Sequence, residues 1–227
     1  MVITIDGPAA AGKSSAAKLL AHRLGYLYLD SGALYRAIAW KVIREGVDPT
    51  DRSRLGELCR KIDLAVRQGE KGVRVFVDGA EVTAQLRSPE VTRVSSLISA
   101  TREVRDRLLM LQREIGTQNG VVIEGRDTGT VVFPHAEVKF YLDAVLSTRG
   151  ERRFSEMQAK GIPVNYEATV QEIETRDQKD MTRPIAPLKK ASDAIVIDST
   201  QMDLSQVVDQ MFSVVQSLFG APGRNPV

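Results

Sequence analysis

The chain is predicted to adopt an α/β three-layer fold around a five-stranded parallel sheet, with a small antiparallel β insert and a helical lid. Three observations predict this. Short apolar runs, Val2 to Ile5, Val121 to Ile123, Val138 to Leu142 and Ala194 to Ile197, are rich in β-branched residues and run into acidic residues or loops, as parallel strands buried on both faces do. Between Ile62 and Arg87 the apolar period falls from near 3.6 towards 2, which marks strands set into an otherwise alternating chain. The glycine-bearing stretch Gly7 to Ser15, GPAAAGKSS, joins the first run to a helical pattern.

In chain order, Ser14 to Leu24 carries Ala17, Leu20 and Leu24 at helical spacing, and Gly25 is placed to end the helix. Tyr26 to Leu29 is the remaining strand of the parallel sheet and stops at Asp30-Ser31-Gly32. A helix follows over Ala33 to Glu45, through Leu34, Ala37, Ile38 and Val42, then a turn over Gly46 to Asp51 and a helix over Leu55 to Lys61. Three antiparallel strands are expected around Leu64 and Val66, around Val73, Val75 and Val77, and around Val82, with Asp78-Gly79 as the hairpin signal. Helices from about Pro89 to Ile115 follow, the second showing an apolar face of Leu97, Val104, Leu108, Leu111 and Ile115. After the fourth parallel strand, Arg149 to Leu188 is polar, arginine-rich and helical in pattern. Leu204 to Leu218 is the last helix, and residues 220–227 read as a frayed tail. The whole, 1–227, is read as one domain with an inserted subdomain at about 62–100 and a lid at about 149–188.

A chain of 227 residues, 43% of them hydrophobic, can bury a full core. Its 31 Lys and Arg against 29 Asp and Glu leave no basic footprint for nucleic acid or a membrane surface, so any anionic ligand must be met by locally placed arginines. The single Cys59 suits a reducing compartment, and no apolar run reaches the length of a membrane span. A cytoplasmic protein is expected, and nothing in the sequence demands more than a monomer.

The chemistry begins at GPAAAGKSS, which fits GxxxxGK(S/T), the phosphate-binding loop. Gly7 and Gly12 allow the backbone N–H groups to approach phosphate, and the following helix N-terminus favours negative charge. Lys13 is expected over the β- and γ-phosphates, with a serine hydroxyl, Ser14 or Ser15, near Mg²⁺. At the carboxyl ends of the next strands stand Asp30 and Arg36, then Glu124, Arg126 and Asp127, and planar arginine forks there suit a second phosphate. Glu124 is expected either to orient a metal-bound water or to partner Lys13. Arg149, Arg152 and Arg153 share one helix face, and Arg176, Asp180 and Arg183 share another, which predicts a phosphate-covering lid. His22 and His135 are expected to have no catalytic role.

GPAAAGKSS, LDSGALYR (Leu29 to Arg36), EGRDTGTVVFPHA (Glu124 to Ala136) and RDQKDMTRPIAPL (Arg176 to Leu188) resemble, in this order and register, the bacterial cytidylate kinases among the P-loop kinases. The resemblance covers nearly the whole chain and extends to the β insert. It implies transfer of the γ-phosphate of ATP to CMP or dCMP with Mg²⁺. It further implies cytosine contacts from Ser31, Ser96, Arg105, Asp127 and Arg183, a grip on the CMP phosphate by Arg36 and Arg126, and sugar and phosphate contacts from Arg176 and Asp180. On this reading Lys13, Arg126, Arg176 and Arg152 serve the transfer itself. Gly7, Pro8, Ala9, Ala10, Ala11, Gly12, Lys13, Ser14, Ser15, Arg153 and Lys179 meet ATP. Three positions depart from the pattern: Ser14 stands where many members have Gly in GKGT, Glu124 replaces the aspartate of DGRD, and Lys179 lies where an arginine often holds ATP.

Other readings fit less of the chain. A GTPase would carry an NKxD guanine motif late in the sequence, and none is there. A shikimate-type kinase would need a base for a neutral hydroxyl and has no use for the Arg105 and Asp127 set. Adenylate or uridylate kinases are the nearest enzyme alternatives, and a nucleotide-dependent switch without turnover is the alternative outside enzymes.

Overall fold

The computed structural model describes residues 1–69, 72–117 and 120–220. The chain begins with β1 (Val2–Asp6), α1 (Lys13–Leu24), β2 (Leu27–Asp30), α2 (Ser31–Arg44) and α3 (Arg52–Lys61). The antiparallel strands β3 (Leu64–Gly69), β4 (Gly72–Val77) and β5 (Ala80–Glu81) follow, then α4 (Pro89–Ile98) and α5 (Arg102–Gly116). The remainder is β6 (Val121–Gly125), a π-helical turn at Thr128–Val132, β7 (Val138–Asp143), α6 (Leu146–Ala159), α7 (Tyr166–Thr182), β8 (Ile195–Asp198) and α8 (Leu204–Phe219). The strands form a five-stranded parallel sheet in the order β2-β6-β1-β7-β8 and a separate three-stranded sheet, β3-β4-β5. The expected α/β architecture is therefore present. Residues 221–227 of the expected tail lie outside the described residues.

Two compact units divide the chain, one made of Met1–Tyr26 with the chain from Val122 onward, the other of Leu27–Val121. In the first unit, β1 pairs in parallel with β7, Ile5 opposite Phe140, and β7 with β8, Phe140 opposite Ile195. Ile3, Ile5, Val122, Ile123, Phe140 and Leu142 are buried, so these strands are covered on both faces. β8 ends the order and exposes Val196. α1 packs against α8, where Arg23 pairs with Asp209 and lies 4.0 Å over the Phe212 ring. A capping box between Asp203 and Gln206 starts α8.

Gly7 shows why the loop after β1 needs glycine. Its φ is +150°, and a Cβ there would stand 2.0 Å from the Leu142 carbonyl oxygen, which belongs to a backbone that cannot step aside. A Gly7→Ala variant is expected to lose about 3 kcal/mol or more of stability, a backbone-clash effect at the upper end of single substitutions, measured by urea unfolding. An unchanged midpoint would refute this account of the turn.

In the second unit, Asp30 caps α2 by accepting the Ala33 N–H at 3.0 Å, which starts the helix at Ser31 rather than at Ala33. Leu34, Ala37, Ile38 and Val42 are buried as their spacing requires. At the β4–β5 turn, Asp78 and Gly79 have φ of +50° and +79°, the double left-handed geometry of a type I′ hairpin. Lys41 reaches that turn and pairs with Asp78 at 2.7 Å. The backbone between Pro89 and Gly116 breaks after Ile98, and the break changes which residues face inward: Ile98 is buried, whereas Leu97, expected on the apolar face, is 52% exposed at the end of α4. The unit holding the antiparallel sheet runs from Leu27 because α2 packs on β4 and α4, and α3 packs on α5. Among the described residues no helix is long and apolar enough to cross a membrane.

Candidate active site

The phosphate loop of the first unit is shaped by three residues with positive φ: Gly7, Ala10 at +59° and Gly12 at +93°. Gly12 is also the N-cap residue of α1 and makes no side-chain cap, so the first N–H groups of the helix need an outside acceptor. Lys13 is 5% exposed and donates from Nζ to the Pro8 carbonyl at 2.5 Å. Burial above all, then the charges of Arg126 and Arg176, push its ammonium down to about 7, against the opposing pull of Glu124 and Asp6. A cation held so uneasily gains by meeting a polyphosphate.

Ser14 Oγ donates to Glu124 Oε1 at 2.5 Å, with Glu124 buried at the end of β6. Of the two serines considered for a metal, Ser14 is the one set against a carboxylate. A hydroxyl and a carboxylate are hard oxygen donors that suit Mg²⁺, which is usually held by one or two protein oxygens together with phosphates and water. Among the described residues there is no cluster of three or more His, Cys, Asp or Glu that could hold a metal alone.

The loop after β6 is tied down from below and above. Asp6, at the end of β1, accepts the Thr128 N–H at 2.9 Å, the Thr128 hydroxyl at 2.8 Å and the Gly129 N–H at 2.7 Å. Burial raises its carboxyl above the usual range even so. From α7, Asp180 pairs with Arg126 Nε at 2.8 Å, and Arg183, just beyond the helix, pairs with Asp127 at 2.8 Å and donates to the Ala186 carbonyl at 2.6 Å. Lys13, Ser14, Glu124, Arg126, Asp127, Asp180 and Arg183 are thus joined through one network, and the charge of Arg176 reaches Lys13.

Two expected members of that network are engaged elsewhere. Arg152 donates to the Ser199 hydroxyl at 3.0 Å and to the Ser199 and Met202 carbonyls at 2.6 and 3.2 Å, anchoring α6 to the segment after β8. Arg153 is half-buried and pairs with Glu156 one turn along its own helix. Lys179 is exposed on α7.

The second unit holds the rest of the expected substrate residues. Arg36 donates to Asp30 at 2.6 Å, and its Nε is buried without a hydrogen-bond partner. A cavity of about 90 Å³ is lined by Asp30, Arg36, Thr83 and Arg87 among others. Arg105 is 7% exposed, donates to the Ser99 carbonyl at 3.0 Å and lies 5.7 Å from the Tyr35 ring. Ser31 is buried in the first turn of α2, and Ser96 is exposed on α4.

Sequence reasoning missed Asp6, Asp177 and Arg87. Asp6 had a signal, an acidic residue at the carboxyl end of the strand that feeds the loop. Asp177 had none, because its partner Arg149 lies 28 residues away on another helix.

The family model for cytidylate kinase matches residues 3–217. The cytidylate kinase of Caldicellulosiruptor bescii is 45% identical over 212 residues, 93% of this chain and 94% of that protein. That of Bacillus subtilis is 42% identical over 214 residues, 94% and 96% of the two chains. Among solved structures, a gluconokinase from Sinorhizobium meliloti aligns with a TM-score of 0.50 at 14% identity over 96% of this chain and 92% of its own, a likeness of fold alone. With a family model spanning nearly its full length and relatives this similar, the chain belongs to the cytidylate kinase family.

Proposed function

We propose that the protein transfers the γ-phosphate of ATP to CMP or dCMP. A phosphate oxygen of the acceptor attacks the γ-phosphorus in line, the bond from that phosphorus to the β-γ bridging oxygen breaks, and CDP or dCDP leaves with ADP. The acceptor oxygen is already ionised, so no side chain need remove a proton. That agrees with a site built from lysine, arginines and carboxylates in which neither histidine takes part. Lys13, Arg126 and Arg176 spread the charge that builds on the transferred group, and the loop N–H groups hold the ATP phosphates. Mg²⁺ beside Ser14 and Glu124 supplies further positive charge when bound.

The observation that carries this reading is the buried Lys13, its proton loosened by burial and two arginines, at a glycine loop whose neighbouring strand ends in the Arg126-Asp127 pair. For the acceptor, Asp127 takes the N4 amino group of cytosine, with Arg105, Arg183, Ser31 and Ser96 serving the rest of the base. Arg36, whose Nε lacks a partner, grips the acceptor phosphate together with Arg126, and Arg176 and Asp180 reach its sugar and phosphate. We assign residues 149–188, which hold most of α6 and all of α7, the role of a lid that excludes water, and Leu27–Val121 the role of acceptor-binding subdomain.

ADP release is expected with CMP and dCMP well above AMP, GMP, UMP, dTMP and shikimate, measured with the full chain, ATP and Mg²⁺. A preference for any other acceptor overturns the assignment of Asp127. Release no faster than without acceptor overturns transfer altogether.

A further inference from the structure

One peptide of the phosphate loop is gripped from outside it. Asp177 Oδ1 accepts the Ala9 N–H at 2.7 Å, while Arg149 Nη1 donates to the Ala9 carbonyl at 3.0 Å. Arg149 also pairs with Asp177 Oδ2 and donates from Nε to the Ala144 carbonyl at 2.9 Å. Both side chains are buried, Arg149 at 8% and Asp177 at 5% exposure.

A buried ion pair is a poor source of stability, because desolvation offsets most of the Coulomb gain. It persists where every donor and acceptor is used, and here the guanidinium has three acceptors and the carboxylate two donors. The geometry also withdraws something from the loop: the Ala9 N–H, which a phosphate could have taken, is given to α7. The two helices act on it as one piece. Gly150 lets them approach, since a Cβ there would stand 2.6 Å from Val170, and Phe154 meets Tyr166 edge to face at 5.9 Å. On α7, Asp177 directly follows Arg176 and stands one turn before Asp180, the partner of Arg126.

We propose that Arg149 and Asp177 are positioning residues that set the phosphate loop from helices α6 and α7, so that ATP meets a loop already shaped and Arg176 already registered against Lys13. The activity part of the test rests on the phosphotransferase reading; the binding part does not.

The variants are Asp177→Asn, which keeps the shape but loses the charge, and Arg149→Met, which keeps the stem but loses all three donations. Each is expected to weaken ADP binding without acceptor, followed by calorimetry on the full chain, by about tenfold or more, the scale of one lost charge-assisted hydrogen bond. KM for ATP is expected to rise in parallel while KM for CMP moves by less than about threefold, because the acceptor residues keep their own partners. The double variant is expected to be no worse than the weaker-binding single one, since the pair acts as a unit. Arg149→Lys restores charge but not the fork, and is expected to recover only part of the loss. ADP affinity and KM for ATP within twofold of wild type, alongside a lowered melting temperature, would show a merely structural pair and overturn the proposal. If Arg149→Met does not fold, the same comparison is made with Arg149→Lys and Asp177→Asn. A wild type that binds ADP but releases none with any acceptor would defeat the phosphotransferase reading and leave the binding comparison intact.

Discussion

Lys13→Met is expected to abolish phosphoryl transfer, by about 10³-fold in kcat/KM for ATP, while the protein melts at a higher temperature than the wild type near pH 6.5. The two outcomes share one cause. Lys13 is buried beside Arg126 and Arg176, and its ammonium titrates near 7 in the free protein instead of near 10.5. The unfolded chain therefore holds this proton between those two values when the folded chain does not, and stability rises with pH across that window. The cost of burying the charge is fully present below about pH 7 and fades towards pH 10.5. Methionine removes it, so the variant's thermal advantage is expected to shrink as pH rises from 6.5 to 9. The same cation is what a polyphosphate repays. At pH 8 to 9 the free site is largely neutral, and ATP binding is expected to draw in close to one proton, measured by calorimetry in buffers of different ionisation enthalpy. At pH 6 the uptake is expected to vanish, and in Lys13→Met to be absent throughout. A variant that still turns over would refute the role of the lysine. A variant that melts lower at pH 6.5 would refute the burial cost.

The division between what the chain discloses and what it conceals follows the range of the interactions. The loop after β1, the five parallel strands and the Asp78-Gly79 hairpin are local matters of spacing, β-branching and glycine, and each is readable in a window of a few residues. The break after Ile98 is less so. No proline or glycine lies between Glu90 and Ile115 to announce it, and the exposed Leu97 follows from a helix face that resets at the break. In the site, residue types at strand ends are visible, but partnerships are not. Arg152 matched the spacing of a phosphate-facing arginine, yet its fork is satisfied by Ser199 and Met202, some 50 residues later. Arg149 shared the helix face expected to cover phosphate, yet its fork is buried against the backbone of the phosphate loop and against Asp177. A helical wheel gives the face of a side chain, not the carbonyls that await it.

Asp127→Asn is expected to collapse the preference for CMP over UMP. Asp127 is 7% exposed and held at 2.8 Å by Arg183, with its loop fixed by the three hydrogen bonds to Asp6, so its position is set before any base arrives. A carboxylate only accepts. It suits the N4 amino group of cytosine and repels the O4 carbonyl of uracil, which would also leave a buried charge facing an acceptor. An amide can present either its oxygen or its nitrogen, so the repulsion goes and the charge-assisted bond goes with it. The loss for CMP is expected to be about 100-fold in kcat/KM, the upper range for a hydrogen bond to a charged group, with UMP unchanged or improved. KM for ATP is expected to stay within about twofold, because Lys13, Ser14 and Glu124 keep their own partners. Arg183 loses its counter-charge in the variant but retains the Ala186 carbonyl, and Asp180 stands 3.9 Å away. That second effect weakens both pyrimidines alike and so cancels in their ratio. Equal losses for CMP and UMP, with KM for ATP rising alongside, would mean that Asp127 only holds Arg183 in place and reads no base.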